Sequence, residues 1–193
     1  MKIIGYNRAM SNFFTRKGDD GTTSFLGSGR ISKSDARIEA LGSLDEASAA
    51  LGIVRACDID HDIQNLILEI QRDLSIIMTE VASSAENQAK FENLEEDRIT
   101  WLEMHADHYS SQIEIPKEFI FPGDTPSSAS ISFARTVVRR AERRLVDMDS
   151  SCEKVNPHLL QYLNRLSSLC FIMELFESER EGDKQSFSDK GSN

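Results

Sequence analysis

IDHDIQNLILEIQRDLSIIMTEVA, residues 59 to 82, is the stretch whose reading decides the fold. Ile63, Leu66, Ile67, Ile70, Leu74, Ile77, Met78 and Val81 recur at steps of three and four residues. At about 100° per residue that recurrence draws one apolar stripe along an α-helix. A stripe of that length is stable in water only when other elements cover it.

Four further segments supply matching stripes. Upstream, SLDE at Ser43 reads as a capping box that opens a first helix through Leu44, Ala47, Leu51 and Val54. A third helix is predicted after Asn93, with Glu96 three positions on and Ile99, Leu102, Ala106 and Tyr109 inward. Thr125-Pro126 and Asn156-Pro157 each pair a cap with a proline at the first helical position, where its missing amide is not needed. The fourth helix carries RTVVRRAERRLV, residues 135 to 146, and the fifth is apolar from Leu159 to Phe176 with sparse charge. Strand signals are weak. The expected fold class is therefore all-α, a five-helix bundle in a ferritin-like up-down arrangement with an N-terminal loop. An arm over 1–13, a bundle domain over 14–178 and a disordered polar tail over 179–193 complete the organisation.

At 193 residues one domain is the default, since a chain of that length buries roughly 70% of its unfolded surface. No apolar run approaches the roughly 18 residues of a membrane helix. A net charge of -10 argues against a general nucleic-acid binder, so an anionic partner would have to be small and locally held. Cys57, Cys152 and Cys170 are odd in number and widely spaced, which points to a reducing compartment rather than a disulfide framework. The four histidines show no spacing that brings a third metal ligand, so no protein-held metal site is expected.

Against that acidic background the arginine helix stands out. Ala134, Val138, Ala141 and Leu145 form its apolar stripe, while Arg135, Arg139 and Glu142 share a flank with Arg143 close by. Solvated surface charge explains such a pattern in isolation, and so does a site for phosphate or carboxylate. A second unexplained stretch is TRKGDDGTTSFLGSGRISKSDAR, residues 15 to 37. It combines glycines, hydroxyls and the cations Arg16, Arg30 and Lys33, yet matches neither the Walker nor the dinucleotide pattern. A flexible arm and a phosphate-binding loop both remain open for it. Asp45 and Glu46 read first as helix caps, Asn164 as a structural tie, and Phe119 and Phe121 as packing aromatics.

TRKGDDGTTS, GSLDEASAALG, FIFPGDT, RTVVRRAERR and YLNRLSS, in this order and spacing, resemble the successive motifs of the PduO-type ATP:cob(I)alamin adenosyltransferases, over about residues 14 to 176. The resemblance implies a homotrimer of five-helix bundles with active sites between subunits. Its reaction would move the 5′-deoxyadenosyl group of ATP onto cob(I)alamin, releasing triphosphate and forming adenosylcobalamin. By position, Thr15, Arg16, Lys17, Gly18, Thr23, Ser24 and Lys33 would bind ATP. Arg139, Arg140, Glu142, Arg143 and Asn164 would complete that site. Arg135 would pair with Asp45 of the partner subunit, Phe119 would occupy the lower face of the corrin, and Arg139 would serve the transfer itself. Magnesium would arrive on ATP. The resemblance further implies a cytoplasmic or mitochondrial-matrix enzyme, with a B12-dependent mutase or dehydratase receiving the product. Asp124, Ser132 and Ser168 depart from the family's glycine, histidine and aspartate. A trimer that binds ATP and carries cobalamin without turnover, or a structural bundle with a solvated arginine face, are the alternatives.

Overall fold

The computed structural model describes residues 16–84, 86–87, 90–118, 120–150 and 154–190, with side chains described as far as residue 182. Thr15, Phe119 and Cys152 lie outside the described residues. Five helices follow one another, α1 (Ala36–Arg55), α2 (His61–Ala82), α3 (Glu96–Ser110), α4 (Pro126–Ser150) and α5 (Pro157–Lys190). Side-chain ties show that each helix reverses the direction of the one before. Gln71 donates to the carbonyl of Ser48 at 2.9 Å, Arg98 on α3 meets Asp73 on α2, and Arg140 on α4 meets Glu46 on α1. Asn164 on α5 reaches Glu142 on α4, whereas Ser127 at the start of α4 reaches Glu181 far along α5. The lateral order is α2, α1, α4, α5, α3, an up-down bundle as expected.

One end of the bundle holds the starts of α1, α3 and α5 and the finish of α2 and α4; the other holds the reverse set. The core fills the axis with Leu44, Leu51, Ile63, Ile67, Ile70, Leu74, Leu102, Ile131, Leu145 and Leu166, none more than 1% exposed. Both proline-led starts behave as their sequence dictates. The amide of Ser128 donates to Thr125 Oγ1 at 3.1 Å, and that of His158 to Asn156 Oδ1 at 3.0 Å. No described helix is long and apolar enough to cross a membrane.

Three boundaries differ from expectation. α1 opens at Ala36, not Ser43: Asp35 is its cap, accepting from the amide of Arg37 at 2.9 Å, and Ser43 is a buried mid-helix residue. The apolar stripe runs through the longer helix, because Ala40 and Leu44 are both fully buried. α3 opens at Glu96, after an extended Glu95, because Leu94 is drawn into the core, its amide held by Glu80 Oε2 at 3.1 Å and its carbonyl by Asn156 Nδ2 at 3.2 Å. α5 continues to Lys190, past the boundary expected near 179. Arg180 and Glu181 anchor that extension, Arg180 through Glu177 and the Asp58 carbonyl (2.7 Å each) and Glu181 through Ser127 at 2.6 Å.

The N-terminal loop adds a short antiparallel hairpin, β1 (Thr22–Thr23) with β2 (Ile31–Ser32). It docks on the finish of α2, where Leu26 bridges Ser83 and its amide donates to the Ala82 carbonyl at 2.8 Å. Arg37 locks the joint. Its buried guanidinium lies over the Phe25 ring and donates to the carbonyls of Val81 and Ser83 at 2.9 and 2.6 Å. The orphan carbonyls that end every helix thus become the anchor for the loop.

Candidate functional site

Glycines and hairpin turns let the loop fold on itself, and cations hold it there. Arg30 donates to Thr22 Oγ1 at 2.7 Å, to the Thr22 carbonyl at 3.0 Å and to the Lys17 carbonyl. Lys33 Nζ donates to the Gly18 carbonyl at 2.7 Å. A Cβ on Gly18 would sit 3.2 Å from that ammonium and 3.3 Å from the Thr22 carbonyl, so a side chain here would crowd the crossing. Asp20 accepts from the amide and the hydroxyl of Thr22, which hold its carboxyl below the usual range. Arg16 takes a positive φ of 58°, a left-handed turn that a side chain adopts rarely. Arg16, Lys17, Gly18, Thr23, Ser24 and Lys33 therefore belong to one small folded unit at the end of the bundle where α1 begins.

The arginines of α4 divide between two flanks. Residues 135 and 140 point about 140° apart around a helix. Arg140 turns toward α1 and pairs with Glu46, which is mid-helix and not a cap. Arg144 meets Asp147 at 3.3 Å in the open. On the α5 flank, Arg135 Nε lies 3.9 Å from Glu174 Oε2, and its guanidinium is 5.9 Å from the Phe171 ring. Glu142 accepts from Asn164 at 3.1 Å, Asn164 accepts from Arg165 at 2.8 Å, and Arg165 in turn pairs with Glu103 at 2.7 Å. Asn164 is exposed at the α4–α5 seam, not buried as its apolar surroundings in sequence imply. Between these ties, exposed Arg139 and Arg143 make no hydrogen bond or ion pair among the described residues.

The same holds for Asp45, exposed on α1. It cannot meet Arg135 of its own chain, because α1 lies on the other flank of α4. FIFPGDT, by contrast, leads into the start of α4, at the end of the bundle opposite the loop. Ile120, Phe121, Pro122, Gly123 and Asp124 there line a small cleft with Ser128, Glu174 and Leu175. Phe121 is 79% exposed and Phe133 55%, an apolar surface at that end. α1 alone spans about 30 Å, so the loop and this cleft cannot share a small ligand within one chain. Among the described residues no three His, Cys, Asp or Glu side chains are placed to hold a metal ion.

Two arginine flanks run along α4, with the cation-stapled loop at one end of the bundle and the apolar turn at the other. The family model described as cobalamin adenosyltransferase matches residues 13–177. The chain belongs to that family. Among relatives of this chain, the corrinoid adenosyltransferase PduO of Salmonella typhimurium is 37% identical over 161 residues. That match covers 83% of this chain and 48% of the relative, so the chain spans about half of that protein's length. The corrinoid adenosyltransferase of Mycobacterium tuberculosis is 38% identical over 168 residues, covering 85% of this chain and 87% of that one. A solved phenylalanine-to-alanine variant of the PduO-type ATP:corrinoid adenosyltransferase of Lactobacillus reuteri, complexed with cobalamin and ATP, superposes with a TM-score of 0.82. It is 30% identical and the match covers 88% of this chain and 95% of that one. An arginine-to-lysine variant of the same protein, complexed with ATP, gives a TM-score of 0.80.

Sequence reasoning missed Arg37 as the loop's lock, Glu46 as the partner of Arg140, and Glu174. Only Glu174 left a signal, as a lone carboxylate in the apolar run LCFIMELF.

Proposed function

We propose that this chain transfers the 5′-deoxyadenosyl group of ATP to cob(I)alamin as a homotrimer, at sites built between neighbouring subunits. The observation that carries the reading is the separation within one chain of the loop, at one end of the bundle, from the FIFPGDT cleft at the other, with exposed Arg139 and Arg143 on the α4 flank between them. Cob(I)alamin attacks C5′ of ATP; the Co–C5′ bond forms as the C5′–O5′ bond breaks, and its electron pair leaves on triphosphate. The metal is its own nucleophile, so the protein needs no general base. It must hold C5′ in line with cobalt and neutralise the departing triphosphate.

Arg16, Lys17, Gly18, Thr23, Ser24 and Lys33, with Thr15 beside them in sequence, would hold the phosphates from one subunit. Arg139 and Arg143, with Glu142 and Asn164 fixing the seam around them, would meet the nucleotide from the next. Arg140 would contribute by leaving Glu46. The loop offers hydroxyls rather than a carboxylate cage, which suits a magnesium ion that stays on the phosphates. Phe119, next in sequence to Ile120 of the cleft, would cover the lower face of the corrin, keeping the axial base away and easing reduction of the cobalt. We place the enzyme in the cytoplasm or the mitochondrial matrix, delivering its product to a B12-dependent mutase or dehydratase.

The test is chemical. ATP and chemically reduced cobalamin, kept anaerobic, should yield the adenosylcobalamin spectrum and one triphosphate per cobalamin; no product under strict reduction would refute the reading. A second measurement probes the assembly. Arg135→Ala should lower the trimer fraction in analytical ultracentrifugation and cut activity about 100-fold, because Asp45 of the partner subunit loses its counter-charge. A trimer of unchanged stability with normal kinetics would refute that pairing.

A further inference from the structure

We propose that Glu174 is a positioning residue for adenosyl transfer, a carboxylate sealed in the α4–α5 seam that holds the inner edge of the Arg135 guanidinium and turns its outer edge outward. The inference rests on the reading above and adds a residue to it.

The buried carboxylates of this chain differ in how they are satisfied. Asp73 receives Arg98 through contacts of 2.7 to 3.1 Å and the Tyr162 hydroxyl at 2.7 Å. Glu177 receives Arg180 at 2.7 Å and the Asp60 amide at 2.8 Å. These are closed, saturated arrangements of the kind that hold helices together. Glu174 is also buried, at 5% exposure, yet its Oε2 faces Arg135 Nε at 3.9 Å and neither atom has a hydrogen-bond partner among the described residues. Native structures tolerate few such atoms, and each calls for a cause.

The cause lies in what surrounds the pair. Arg135 Nε is buried while its side chain keeps 30% exposure, so the exposed part is the stem and the terminal nitrogens. A guanidinium has donors on both edges, and Glu174 faces one of them. The other edge is open to a carboxylate or anion from outside the chain. On its second side Glu174 lines the cleft with Phe121, Pro122, Gly123 and Asp124. It thereby touches both the arginine flank and the FIFPGDT turn. Burial raises its carboxyl above the usual value, opposed by hydrogen bonding from Ser132 and by the charge of Arg135. A buried carboxylate oxygen left without a donor costs stability, as expected of a group retained for function rather than for the fold.

The test compares Glu174→Gln with the wild type in the full chain. The neutral isostere should keep the same assembly and a melting temperature equal to or above the wild type. It should lower kcat about tenfold while KM for ATP stays within about twofold. Glu174→Asp, which keeps the charge on a shorter arm, should recover part of kcat. Adding Glu174→Gln to Arg135→Gln should cost nothing further, since the carboxylate acts through the arginine. An unchanged kcat, a fall in melting temperature that accounts for the lost activity, or additive losses in the double variant would each overturn the inference. A wild-type protein without turnover would overturn the adenosyltransferase reading itself, and this inference with it.

Discussion

Arg139→Ala should fold and assemble as the wild type does, yet form adenosylcobalamin about 100 to 1,000 times more slowly. Arg139 lies on the α5 flank of α4 between Arg135 and Glu142, exposed and without a hydrogen bond or ion pair among the described residues. Of the five arginines on this helix, Arg135, Arg140 and Arg144 already face a carboxylate of their own chain. A guanidinium held with its donors uncommitted stabilises charge that develops late, on the triphosphate as C5′ leaves, without first breaking an internal bond. The loss should therefore fall mainly in kcat. Single-turnover formation of adenosylcobalamin, followed by absorbance, separates it from a rise in KM. Arg144→Ala is the control, since its exposed pair with Asp147 should matter by less than about 1 kcal/mol. Wild-type turnover in Arg139→Ala would remove the arginine flank from the mechanism.

Asp73→Ala should lower stability by about 3–5 kcal/mol, or roughly 6–20 °C in melting temperature for a chain of this size. Asp73 is the shared acceptor for Arg98 on α3 and Tyr162 on α5, with Arg98 stacked 4.1 Å over Trp101. Removing the carboxylate strands a guanidinium that is only 27% exposed and a phenol that is fully buried. Tyr162→Phe deletes the donor together with its need, so it should cost only about 1 kcal/mol. A pH dependence accompanies the pair. Burial first, and the charge of Asp73 second, raise the Tyr162 phenol well above 10. The folded state then keeps a proton that the unfolded chain releases near pH 10. The stability so contributed is complete below that pH and falls as the pH climbs toward the folded value. Thermal melts between pH 8 and 11 should show this loss in the wild type and less of it in Tyr162→Phe. Equal alkaline sensitivity in the two would contradict it.

The bundle was legible because helical periodicity is local. The stripe from Ile63 to Val81 and the proline-led starts at Thr125 and Asn156 concern residues one or two turns apart, and all are found as read. Boundaries failed where the deciding partner was remote. Leu94 is kept out of α3 by Glu80 and Asn156, and the end of α5 is extended by contacts with Asp58 and Ser127. Neither tie leaves a mark on the segment it controls. Ser43 misled for a different reason, since SLDE is a sound capping box that the buried faces of Ala40 and Leu44 outweigh.

For the site, the residues on their own identified a charged helix and an unexplained loop, and motif order joined them to one family. Which arginine does what was not in the sequence, because RTVVRRAERR gives all five the same chemistry. Neighbouring helices sort them: α1 takes Arg140, α5 takes Arg135 through Glu174, and Arg139 and Arg143 are left open among the described residues. Composition and periodicity determined that five helices pack around an apolar axis, since burying those stripes outweighs every local alternative. Only the tertiary structure decided which charges are already spent within the chain, because a side chain's partner is set by the elements folded against it and not by its neighbours along the sequence.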